Sequence, residues 1–170
     1  MSFQHYFNME RLALNVAEKA IGDLPDKREY DDGIPIVDDT AMQALEKGSI
    51  AIIMLNIFIE SYINDILNNC IEEKTDGFLK CNLTEKLELI YLYYRKDISE
   101  LRKTYGWQVF KESQKIRNGI VHFKKSEMGY SGYTPDLFIE KSSLNELFLK
   151  EPMKKYMDEI IGFAKRIAED

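Results

Sequence analysis

The residue types best suited to chemistry lie in one stretch, Arg117-Asn118-Gly119-Ile120-Val121-His122. An arginine stays charged and presents a planar fork to phosphate oxygens. A histidine accepts or donates a proton near neutral pH, and an asparagine can hold a hydroxyl group or orient an imidazole ring. This grouping favours phosphodiester chemistry on RNA, whose 2′-hydroxyl is its own nucleophile. Such a site needs no metal or cofactor, and its products are a 2′,3′-cyclic phosphate and a free 5′-hydroxyl.

Helix geometry limits how these side chains can meet. On a regular helix Asn118 and His122 are four residues apart and share a face, whereas Arg117 and His122 point roughly 140° from each other. Two arrangements would still complete the site: a helix loosened at Gly119, or a second subunit that brings another copy of the motif across a two-fold axis. Because His122 is the one interior histidine, acid and base would then come from two chains.

The motif lies in a basic segment of an acidic chain. The net charge is −6 and the pI about 5.1, which argues against a general nucleic-acid coat protein. Residues 1–40 contain nine acidic and four basic residues, whereas residues 111–125 contain five basic residues and one acidic residue. The candidate RNA contacts in that segment are Lys111, Lys115, Lys124 and Lys125. The alternative for these lysines is a solvated helix face.

The elements that would carry the motif are predicted to be helices. The 170 residues, 45% of them hydrophobic, suit one all-α domain over 1–170: an up-down bundle of four to five helices with one long central helix. Apolar periodicity predicts helices over Tyr6–Ile21, from Thr40 to about Lys74, after Asn82, from Gly106, and over Met153–Ala168. Residues 22–39 are predicted to be an acidic loop and 126–151 an irregular connection, with a strand at Leu137–Ile139 or a cap at Ser143 as alternatives.

Several smaller features yield expectations of their own. Asn82-Leu83-Thr84-Glu85 resembles a capping box, and Pro152 occupies a place typical of a first helical residue. Of Tyr91, Tyr93 and Tyr94, we expect two to pack and one to be exposed. Cys70 and Cys81 show no zinc-site spacing and are expected to be buried, reduced thiols in a cytoplasmic protein.

The motif resembles the signature of the HEPN superfamily, in which an arginine is usually followed by a polar residue and then, after four to six intervening residues, by a histidine. Four residues intervene here. The earlier stretch Leu55–Ile66 is similar to a helix of that family that carries an acidic or polar residue facing the motif, and Glu60 is the candidate for that position. The resemblance covers roughly residues 41–125.

The resemblance implies a helical bundle, usually a homodimer, with the motifs facing each other in an interface cleft. Active members are metal-independent endoribonucleases of toxin–antitoxin, phage-defence and RNA-processing systems; partners include antitoxins and nucleotidyltransferase-like proteins. His122 would then be general base or acid, Arg117 would stabilise the transition state, Asn118 would position the hydroxyl or the ring, and Glu60 would hold Arg117 or His122. A toxin subgroup has a tyrosine where this chain has Lys124.

Two alternatives stand beside the ribonuclease. Other members of the family are non-catalytic dimerisation or protein-interaction modules, and the acidic charge and the missing tyrosine favour that interpretation here. Within the site, Arg117 is also expected to pair with an acid of the long helix, either Glu60 or Asp65. Such a pair is compatible with catalysis if it orients the arginine.

Overall fold

The computed structural model describes residues 8–31, 34–36, 38–70, 80–121 and 144–169, and the account below concerns those residues. In chain order the elements are α1 (Met9–Gly22), β1 (Tyr30–Asp31), β2 (Ile34–Pro35), α2 (Asp39–Cys70), α3 (Leu83–Tyr93), α4 (Ile98–Arg102), α5 (Tyr105–Val121), α6 (Leu144–Leu147) and α7 (Lys150–Glu169). The prediction of an all-α helical bundle is confirmed. Residues 126–143 of the predicted irregular connection, with Leu137–Ile139 and Ser143, lie outside the described ranges.

The centre of the bundle is α2, which is 32 residues long. It packs against α1, α3, α5 and α7, and Ile52, Leu55, Ile59 and Ile63 are completely buried. By length and composition alone α2 is apolar enough to cross a membrane. Because it contacts four other helices, the bundle core accounts for its apolar side chains.

Side chains at the helix ends determine where the helices start. The Asn8 side chain accepts a hydrogen bond from the backbone N–H of Arg11 at 2.8 Å, so α1 begins at Met9 and the predicted start at Tyr6 was wrong. At α3 the predicted capping box is confirmed: the N–H of Glu85 donates to Asn82, whose own N–H donates to the Glu85 carboxylate.

Two connections differ from the predictions. Within residues 22–39 the chain forms a short antiparallel hairpin, with Asp31 opposite Ile34, and Leu24 is buried in the main core. Helix α7 begins at Lys150, so Pro152 is its third residue and not its first. The proline fits there because the N–H groups of a first helical turn have no acceptor within the helix.

Helices α2 and α3 run in the same direction. The Lys86 ammonium donates to the side chain of Asn64 at 2.8 Å, and further along both helices a hydrogen bond with Cys70 raises the pKa of Tyr94. Asn64 precedes Cys70 along α2, and Lys86 precedes Tyr94 along α3, so the two contacts occur in the same order on both helices. The bundle therefore contains a parallel neighbouring pair, whereas successive helices alternate in a strict up-down bundle.

An aromatic cluster attaches α5 to α7. The rings of Phe110 and Phe163 stack at 5.0 Å, and Trp107 packs against both. The Tyr156 hydroxyl donates to the carbonyl of Val109 at 3.1 Å, and burial raises the pKa of Tyr156. Helix α5 is thus fixed along its first half, before the Arg117 motif begins.

Gly48 permits a close approach of Phe148 to α2. It is buried in the first half of that helix, and a Cβ placed on it would overlap three carbons of the Phe148 ring. Phe148 is itself 2% exposed, so the ring has little room to move away. A residue that weakens an isolated helix is therefore required here by packing.

We predict that Gly48→Ala lowers the free energy of unfolding by about 1–3 kcal/mol, because the added methyl group overpacks the Phe148 contact. Gly162→Ala is the matched control, since a Cβ at that helical position meets nothing within 4 Å. Alanine there should leave stability unchanged or raise it by up to about 1 kcal/mol. Urea titration followed by circular dichroism measures both values, and equal effects at the two positions would contradict the packing argument.

Candidate functional site

Helices α2 and α5 and the start of α3 enclose a cleft of about 550 Å³. Four of the predicted site residues line it: Glu60 from α2, and Lys111, Arg117 and Asn118 from α5. The remaining lining residues are Asn56, Cys81, Asn82, Leu83, Thr84, Glu85 and Gln114. Residues that are about 50 positions apart in the chain therefore meet around one polar space.

Arg117 and Asn118 are held together by a direct contact. An Nη1 hydrogen of Arg117 is donated to Oδ1 of Asn118 at 3.0 Å. Helix α5 continues without interruption past Gly119 to Val121, so loosening of the helix at Gly119 is not observed. The guanidinium and the neighbouring amide therefore face the cleft from one regular turn of helix.

The expected ion pair between Arg117 and an acid of α2 does not form. Within the described residues Arg117 makes no salt bridge with Glu60 or Asp65, and Asn118 is its hydrogen-bond partner. Asp65 lies beside Glu10 of α1, where burial and the Asp65 carboxylate raise the pKa of Glu10. Asp65 is therefore directed away from the cleft, and Glu60 is the α2 acid that lines it.

The predicted lysines divide into three groups. The Lys111 ammonium donates to the Thr84 hydroxyl at 3.1 Å and so links α5 to the first turn of α3 across the cleft. Lys115 is exposed on α5 and is not among the lining residues. Lys124 and Lys125 lie outside the described residues, as does His122, which directly follows Val121 in the chain.

Asn56 is a buried residue of the cleft lining that the sequence analysis did not single out. It is 5% exposed, and its amide nitrogen donates to the carbonyl of Ile52 at 2.9 Å and to that of Ser113 at 3.2 Å. The second bond joins α2 to α5, four residues before Arg117. The sequence feature that could have identified Asn56 is a polar amide inside an apolar stretch of helix, one turn before Glu60.

The cleft lining carries two positive and two negative side chains. Lys111 and Arg117 on α5 supply the positive charges, which suit an anionic ligand at that side, and the partial positive charge of the α3 N-terminus is met by its own capping box. Of the two acids, Glu85 is engaged in the capping box, whereas Glu60 forms no ion pair within the described part of the chain. The amides supply donors and acceptors suited to hydroxyl groups or base edges.

The chain matches no protein-family model, and no curated protein or solved structure matches it.

We predict that Asn56→Asp costs about 3 kcal/mol or more of unfolding free energy at pH 7, because a buried carboxylate would face two carbonyl oxygens. Lowering the pH to 4 should recover part of this loss, since a protonated carboxyl can donate to one carbonyl again. Asn68→Asp, at an exposed position of the same helix, is the control. Urea titrations at both pH values measure the difference, and equal small effects at the two positions would contradict a structural role for Asn56.

Proposed function

We propose that this protein is a metal-independent endoribonuclease of the HEPN type, with a composite site in a homodimer. The observation that supports the proposal is the convergence of Glu60, Lys111, Arg117 and Asn118 on one cleft. Polar side chains on solvated helix faces have no reason to lie close together. A binding site for RNA requires several of them at one concave surface, as these four are.

In this proposal the 2′-hydroxyl of the RNA attacks the adjacent phosphorus, and the bond to the 5′-oxygen breaks. His122 takes the proton of the 2′-hydroxyl or gives one to the departing 5′-oxygen. Arg117 stabilises the negative charge that develops on the phosphate oxygens. The contact with Asn118 fixes the plane of the guanidinium, so little reorganisation is needed when the phosphate arrives.

The regularity of α5 supports the homodimer in this proposal. Because the helix is uninterrupted through Val121, a histidine continuing that helix would point roughly 140° away from Arg117. A second copy of the motif across a two-fold axis supplies the missing partner. The proposal places the protein in a cytoplasmic toxin–antitoxin or phage-defence system, with an antitoxin or a nucleotidyltransferase-like protein as its partner.

A non-catalytic dimerisation or protein-interaction module of the same fold is the second candidate. One observation favours it: Arg117 is already engaged by Asn118 of its own chain. In such a module the polar groups of the cleft would bind a protein partner, the wild type would cleave no RNA, and removal of these groups would weaken assembly.

The test is cleavage of a mixed pool of single-stranded and structured RNA, in the presence of EDTA, by the purified full-length chain. We expect cyclic-phosphate ends from the wild type, a loss of about 10²–10³-fold for Arg117→Ala, and no detectable cleavage by His122→Ala. Lys115→Ala is the matched control, because it removes an exposed cation of α5 outside the cleft lining. It should change the rate by only a few fold.

Cleavage that survives in both Arg117→Ala and His122→Ala would reject this site as its source. A folded wild type that cleaves no RNA in the pool would favour the interaction module. In that case the same variants should be compared by light scattering, where a shift from dimer to monomer for Arg117→Ala but not for Lys115→Ala would support the module.

A further inference from the structure

The carboxyl end of α3 carries a run of three exposed apolar side chains. Leu92, Tyr93 and Tyr94 are 73%, 56% and 51% exposed, and the cations Arg95 and Lys96 follow them directly. We call these five residues the α3 end surface. The expectation that two of the three nearby tyrosines pack was wrong: Tyr91 alone is buried, at 5% exposure.

The backbone of this surface holds an arginine where helices usually end in glycine. The N–H of Lys96 bonds to the carbonyl of Tyr91, and the N–H of Arg95 to that of Leu92, which is the hydrogen-bond pattern of a Schellman motif. Arg95 takes the left-handed position of that motif, with φ of 55°. A side chain costs free energy at that position and glycine does not. The motif itself thus gives no reason for arginine there.

The two exposed rings are held in place. Tyr93 and Tyr94 meet edge to face at 5.2 Å, and the Lys96 ammonium lies over the Tyr94 ring, 5.9 Å from its centre. The Cys70 thiol at the end of α2 also lies close to the Tyr94 hydroxyl and raises its pKa. Fixed aromatic faces lose little conformational entropy when a flat ligand stacks on them.

The charges of the surface are available to a partner. Within the described residues neither Arg95 nor Lys96 forms an ion pair. The adjacent acid, Asp97, caps α4 and accepts hydrogen bonds from the backbone and the hydroxyl of Ser99. Arg95 and Lys96, which form no ion pair in the described part of the chain, lie beside two exposed rings, and Lys96 lies over one of them. In a chain of net charge −6 this group favours a ligand with flat rings and negative charges.

We propose that the α3 end surface binds single-stranded RNA, with bases stacking on Tyr93 and Tyr94 and phosphates contacting Arg95 and Lys96. Helix α3 has 11 residues and is therefore about 16 Å long. The cleft lies at its first turn, so the surface is a second contact at the opposite end of that helix. The choice of RNA as ligand rests on the proposed function, and the surface would restrict substrates to those with unpaired bases.

The experiment measures binding without cleavage. Full-length His122→Ala protein is titrated, in EDTA, into fluorescein-labelled 12-nucleotide 2′-O-methyl oligouridine and oligoadenosine, and anisotropy gives Kd. Adding Tyr93→Ala and Tyr94→Ala together should weaken binding about tenfold or more. Tyr105→Ala, which removes a 64% exposed tyrosine at the start of α5, is the matched control and should leave Kd unchanged.

Arg95→Gly separates a binding role from a structural one. Because glycine suits the left-handed position, this variant should unfold at the same or a higher urea concentration than its parent. It should nevertheless bind the oligonucleotides more weakly, with the slope of log Kd against log salt reduced by about one. A structural role for Arg95 predicts the opposite pair of results, with lower stability and unchanged binding.

Three results would overturn the proposal: no binding of either oligonucleotide, equal Kd values for the tyrosine variants and the Tyr105 control, or a change from dimer to monomer in the tyrosine variants with unchanged RNA affinity. The last would identify the surface as a contact between two copies. If the wild type binds RNA through this surface but cleaves none, the proposed ribonuclease activity is rejected and the proposed RNA-binding surface stands.

Discussion

One buried amide sets the position of the helix that carries the site. Asn56 lies on the central helix α2, almost entirely out of water, and its nitrogen must find acceptors because a buried unsatisfied donor costs about 1–3 kcal/mol. It finds them in carbonyls of its own helix and of α5, at Ser113. Apolar contacts tolerate small displacements, whereas a hydrogen bond from a buried amide does not. Asn56 therefore fixes where α5 lies against α2, and with it the place of Arg117 one turn later.

The same reasoning explains why polar groups collect at this place. The aromatic contacts of Phe110 and Phe163 hold the first half of α5, and Ser113 is the last completely buried residue along that helix. Beyond it Ile116 and Ile120 pack against the core only partly buried, and Gln114, Arg117 and Asn118 line the cleft. The Lys111 contact with Thr84 and the capping box at Asn82 order the first turn of α3. The cleft is the space bounded by these residues of α5, by Asn56 and Glu60 of α2, and by the first turn of α3.

The sequence predicted most of the elements and part of the site. Apolar periodicity identifies the long helix, and the capping box at Asn82 places the start of α3, because both signals are local. Local signals do not show that α2 and α3 run parallel, or that Phe148 needs the space above Gly48, since both depend on residues distant in the chain. Arg117 was predicted to pair with Glu60 or Asp65; instead Arg117 and Glu60 line the same cleft without an ion pair, and Arg117 donates to the neighbouring Asn118. Asn56 was missed because an amide within an apolar helix gives no sign of its partner.

Occupation of the cleft by RNA is the central claim, and Cys81 reports on it directly. This half-buried thiol lines the cleft, Cys70 is buried at 3% exposure, and neither is in a disulfide. The measurement is the rate at which iodoacetamide alkylates each thiol in the folded protein, with and without a saturating 2′-O-methyl oligonucleotide, followed by peptide mass spectrometry. The account predicts that the oligonucleotide slows alkylation of Cys81 several-fold and that Arg117→Ala abolishes this protection. An unchanged rate at Cys81, with the oligonucleotide shown to be bound, would contradict it.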